Sequence, residues 1–167
     1  MLSRLRTAFG RLLRLCGLAA GVITFAIMLL VVANVLTRYF LNAPIAGTLE
    51  LTESALGYII FLSLAMTQYD GGHIRVVLLT RWLSERHARW LEAFTLLLAT
   101  VFFGWAAGAA LDSALQSWEI NEQEWGSIQF PLYPVRFSIA FGLLLMCLQC
   151  LLDALLAWRG PVHQAAA

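Results

Sequence analysis

The sequence predicts an all-α integral membrane protein of four transmembrane helices, with a short amphipathic segment between the second and third and both termini cytoplasmic. Three observations lead there. The chain of 167 residues is 60% hydrophobic and only 13% charged, with a mean hydropathy of +0.77, whereas soluble domains carry about 25% charged residues. Four apolar runs are each long enough to cross a bilayer core. The basic residues, all arginine, cluster in alternate connections rather than along the chain. The length leaves room for one unit, residues 1–159, followed by a tail over 160–167 that is expected to be flexible.

The first run, Cys16 to Thr37, is uncharged and about 22 residues long, or roughly 33 Å as a helix. Arginines precede it as they precede a signal peptide. It is nevertheless too long for an h-region, and Arg38-Tyr39 follows where a small-residue cleavage site would stand. The reading is a retained first helix. The second run, Thr48 to Tyr69, is similar apart from Glu50 and Glu53 near its start. The third, Trp90 to Leu111, is apolar after Glu92 and ends in small residues around Gly104 and Gly108. Such a face lets another helix approach closely. The fourth spans 133–158, with Arg136 near its start and Asp153 near its end, and Pro131 and Pro134 suit its entry.

Orientation follows from the arginines. Arg4, Arg6, Arg11 and Arg14 lie in the N-terminal segment, and Arg75, Arg81, Arg86 and Arg89 in the second connection. The first connection has Arg38 alone, and the third, Asp112 to Leu132, has no basic residue and carries Asp112, Glu119, Glu122 and Glu124. Both termini are therefore expected in the cytoplasm. In the second connection, His73, Arg75, Arg81 and Trp82 belong to a stretch whose apolar residues recur near helical spacing. It reads as an interfacial segment in the cytoplasmic headgroup layer, the alternative being an extension of a neighbouring helix.

Glu50 and Glu53 are three positions apart, so one helix face holds both at the positive end of the helix dipole. Arg38 and Arg136 are expected at the same membrane level and are candidate partners. The four residues read as an edge cluster or subunit contact, in preference to a proton or cation site, because coupling sites favour the midplane and broken helices. Within the spans, Thr24, Asn34, Ser63, Thr67, Thr95, Thr100, Ser138 and Gln149 are expected to bond across helices. Cys16, Cys147 and Cys150 read as packing residues, since C-x-x-C in an apolar run lacks the electropositive surround of a redox pair. His73, His87 and His163 all lie outside the spans, so none is available as the axial ligand that a haem between the helices would need. No cofactor, nucleic acid or enzymatic motif is expected.

Several landmarks, in this order, carry a resemblance: RYFLNAP after the first run, GTLELTE opening the second, TQYDGGHIRVVLL leaving it, and PLYPVRFSIAFGLLLMCLQCLLD for the fourth. The chain resembles the small membrane subunit, DctQ type, of tripartite ATP-independent periplasmic (TRAP) transporters. Arg38, Glu50, His73 and Arg75 match residue types common there. Many members have W-x-E-E before the second helix and Asp where Val77 stands, departures that bear on subfamily and substrate. The resemblance implies a subunit without chemistry of its own, in the bacterial inner membrane. Its implied partners are a large multi-span membrane subunit, which would carry sodium and an organic acid, and a periplasmic solute-binding protein. A self-sufficient proton-coupled transporter acting as a homodimer is the rival reading.

Overall fold

A computed structural model describes residues 2–70, 85–123 and 126–157. The expected interfacial segment with His73, Arg75, Arg81 and Trp82, and the tail over 160–167, lie outside them. Four helices make up the described chain: α1, Leu2–Phe40; α2, Thr48–Tyr69; α3, Glu85–Glu119; and α4, Tyr133–Ala157. All four are long and apolar enough to cross a membrane.

Two helices overshoot their apolar runs. Helix α1 is 39 residues long, about 58 Å at 1.5 Å per residue. The arginine-bearing first turns continue the helix because leucine, arginine and alanine are all good helix formers. At its far end Asn42 takes the left-handed conformation (φ 53°), and the Ala43 amide turns back toward the Thr37 carbonyl. Helix α3 likewise carries on past Asp112, where the sequence placed the start of a connection, to Glu119. The stop comes at Asn121 (φ 48°), with the Glu122 amide donating to Ser117 and the Asn121 amide to Trp118. That pair of bonds is a Schellman cap, which needs a residue tolerant of positive φ. The stretch 112–119 contains nothing that would end a helix sooner.

Chain order and spatial order differ. Helix α2 packs against α1 on one side and α4 on the other, and α3 packs chiefly against α4. The order in space is α1–α2–α4–α3, with α2 and α4 running the same way and each outer helix antiparallel to its neighbour. Close approach is bought by glycine. A Cβ on Gly10 would lie 2.6 Å from the Tyr69 ring, and one on Gly57 would lie 2.8 Å from Val135. Gly142 abuts the Phe61 backbone, whose carbonyl carbon would be 2.6 Å from an added Cβ. In lipid, where apolar side chains gain little by leaving the solvent, such contacts are what hold helices together. The densest packing gathers at the end that holds the chain's N-terminus, where Leu13, Ala65, Leu145, Met146 and Cys150 form one core flanked by Phe9, Ala99 and Phe103.

The intramembrane hydroxyls behave otherwise than expected. Thr24, Ser63, Thr67, Thr95, Thr100 and Ser138 each donate to a carbonyl three or four residues back in their own helix. That carbonyl is always within reach, so a hydroxyl satisfies itself locally before it can bridge to a neighbour. Gln149 likewise bonds within its own helix, to Asp153, whereas Asn34 Oδ1 accepts from the Ile45 amide in the following loop at 2.8 Å and Gln68 reaches from α2 to α4. All three cysteines are free; Cys150 belongs to the core, and Cys147 donates its thiol to the Thr100 carbonyl.

Candidate subunit-contact site

The loop ends opposite the core bring α2, α3 and α4 together around Glu50. Gly47 precedes α2 in the left-handed conformation (φ 81°), so its amide–carbonyl geometry turns the chain into the helix at no Cβ penalty. The same glycine leaves space filled by Ile128. Thr48 braces the turn by donating to the Ile45 carbonyl at 2.8 Å. Glu50 then falls in the first turn of α2, where a carboxylate is favoured by the helix dipole.

Glu50 is 5% exposed and is already engaged. Its Oε1 accepts from the Ser127 amide across a sequence separation of 77, and Gly126 is packed against the same carboxylate. Glu53, one turn on, is exposed. A three-residue step rotates about 60° around the axis, enough for the two acids to straddle the edge of the packed face.

Arg136 pairs with Glu122 at 2.8 Å rather than with either glutamate of α2. The physical reason is local: the Schellman cap at Asn121 folds Glu122 back over the start of α4, and the Leu132 amide donates to the Glu122 carbonyl at 3.0 Å. Arg136 is thereby within reach of the nearer acid. Both side chains are part-exposed, so the pair fixes loop geometry more than it adds stability. Trp118 closes the corner with edge-on contacts to Tyr133 and Phe137, at ring-centroid distances of 4.8 and 6.2 Å. Arg38 stands apart, exposed on the last turn of α1 beside Tyr39 and Phe40, without an ion pair among the described residues.

A second polar cluster, near the opposite end, was not singled out from the sequence. Asp153 of α4, 6% exposed, accepts from Gln68 Nε2 at 3.1 Å and from Gln149 Nε2 at 3.0 Å. Gln149 and Asp153 are four apart on one helix face, the signal that could have revealed half of it. Gln149 Oε1 remains buried without a partner. Asp153→Ala is expected to destabilise the subunit by about 1–3 kcal/mol, because it strands the buried Gln149 amide and takes the acceptor from the part-buried Gln68. Asp153→Asn should lose less, since an amide oxygen still accepts and its N–H₂ can donate to Gln149. Denaturant titration in mild detergent measures the difference.

Four lipid-length helices, polar loop ends tied to one another and apolar helix flanks left largely uncovered define a multi-pass membrane protein. The chain matches the family model described as tripartite ATP-independent periplasmic transporters, DctQ component, over residues 27–160. It belongs to that family, the small membrane component of a transport system that also has a large membrane subunit and a periplasmic binding protein. No curated protein and no solved structure matches the chain. The matched region contains Arg38, Glu50, Glu53 and Arg136.

Proposed function

We propose that this chain is a non-catalytic small permease subunit of a sodium-coupled TRAP transporter for organic acids, one that packs against the large membrane subunit and extends its scaffold. The observation that carries the reading is the state of the edge charges. Glu50, the acid best placed to bind an ion, is engaged with the Ser127 amide, and Arg136 is engaged with Glu122. They act as staples of the subunit's own loops, while Arg38 and Glu53 remain exposed at the rim for contact with another chain. In this reading the rim faces the periplasm, both termini lie in the cytoplasm of a bacterial inner membrane, and the segment with His73, Arg75, Arg81 and Trp82 lies along the inner leaflet. The arginine distribution supports that orientation.

Co-purification tests the proposal. Affinity capture of this subunit from membranes in mild detergent is expected to bring down the large membrane subunit in stoichiometric amount. Capture of the small subunit alone would overturn it. Proton-coupled flux through the small subunit reconstituted by itself, abolished by Glu53→Gln, would establish the homodimeric transporter instead.

A further inference from the structure

We infer that the uncovered face of α3 running through Trp105, Gly108 and Asp112 receives a transmembrane helix of the large membrane subunit, and that this helix presents a lysine or arginine to Asp112. The inference rests on the proposal that the two subunits pack together.

One face of α3 is used internally: Ala93, Ala107, Ala114 and Ser117 are buried. The other is a regular seam. Phe94, Leu98, Val101, Trp105, Gly108, Asp112 and Leu115 are all exposed, and they alternate steps of four and three residues. That spacing is the one by which two helices pack side by side at a shallow angle.

Two polar groups on this seam are poorly suited to lipid. Asp112 is six residues from Trp118, whose ring packs on Tyr133, the first residue of α4. It therefore lies about 9 Å inward of the level at which α4 begins, inside the 30-residue apolar stretch Trp90–Glu119. Among the described residues it has no hydrogen bond or ion pair. A charged group held at that depth needs a partner. Trp105 lies about 10 Å deeper still along the helix and is 73% exposed. Tryptophan ordinarily occupies the interfaces, where its indole N–H finds an acceptor; acyl chains offer none. Between the two, Gly108 leaves a notch, for a Cβ there would meet nothing within 4 Å.

The free face of α1 differs. Leu15, Leu18, Val22, Phe25, Met28, Leu29, Val32, Val35 and Leu36 are exposed, and no charge interrupts the helix between Arg14 and Arg38. Such a surface is at ease in lipid. Seam spacing and an open glycine, Gly21, recur on α1; the unmet charge and the midspan indole are what set α3 apart, and a basic residue on a neighbouring helix would complement the first of them.

The two flanks offer a matched experiment, because Gly21 on α1, like Gly108 on α3, has nothing within 4 Å of an added Cβ. Gly108→Leu and Asp112→Arg are each expected to lower the large subunit recovered by affinity capture about tenfold, the loss typical of a disrupted interface centre. Gly21→Leu should leave recovery unchanged. Independently of any defect in folding, p-benzoylphenylalanine in place of Trp105 should photo-crosslink to the large subunit, and the same probe in place of Phe25 should not. Adducts from position 25 but not from 105, adducts from 105 to a second copy of this chain, or loss of recovery with Gly21→Leu alone would overturn the inference while leaving subunit packing intact. Absence of the large subunit from the unaltered protein's capture would instead overturn packing itself.

Discussion

Gly142→Leu is expected to destabilise the folded subunit by about 3 kcal/mol or more, the upper end of what overpacking costs. At this position α4 touches the backbone of α2. An added Cβ would lie 2.6 Å from the Phe61 carbonyl carbon and 2.8 Å from its Cβ. A side chain in the way can change rotamer, but a helix backbone cannot step aside. The helices must therefore separate along the stretch that also seats Gly57 against Val135. Because packing at short range is the main attraction between helices in lipid, separation removes the contact that joins the two halves of the chain. Gly142→Ala should show the same effect at reduced size. Gly21→Ala, in open space, should be neutral or stabilising through helix propensity alone. Denaturing-detergent titration followed by circular dichroism distinguishes the three.

Glu50→Ala is the second large effect, and it is local. Removing the carboxylate leaves the Ser127 amide without its acceptor, a loss of about 1 kcal/mol for a part-buried bond on an exposed residue that water can reach. Hydrogen exchange at Ser127 and its neighbours should accelerate while the helices stay protected. Glu50→Gln keeps an acceptor oxygen but gives up the favourable charge at the helix start, worth about 0.3–1 kcal/mol, so its loop should open less. In the intact transporter, Glu50→Gln is expected to lower complex assembly more than it changes sodium dependence. A normally assembled complex with altered sodium stoichiometry would show that the carboxylate takes part in coupling.

The helices were legible in the sequence because hydropathy sums over some twenty residues and a few polar positions cannot hide the total. Their ends were less so. Once Arg14 or Asp112 breaks the apolar run, the hydropathy signal vanishes while the helix itself continues, and the true stop at Asn121 is a backbone event marked only by one residue type. Of the candidate site, the residues were legible and the partners were not. Glu50 was marked by its charge near a span, but its contact with Ser127 joins the start of α2 to a loop far away in sequence. Arg136 was matched by membrane level to the α2 glutamates, whereas the cap that delivers Glu122 to it depends on local geometry. Nothing in the sequence around Gly57 or Gly142 marks either as a contact point. Their meaning lies in what faces them, and that is set by the order of helices in space, which loop length does not dictate.

The length of α1 has a consequence for the surrounding bilayer. Arg14 and Arg38 bound its uncharged stretch and are about 36 Å apart along the axis, against a typical hydrocarbon thickness of about 30 Å. A helix longer than the hydrocarbon it crosses tilts, kinks or thickens the bilayer around it. Helix α1 packs against α2, with Gly10 close against Tyr69 and Gly17 close against Met66. Any tilt of α1 therefore has to be accommodated at those two glycines, where an added methyl group would already collide.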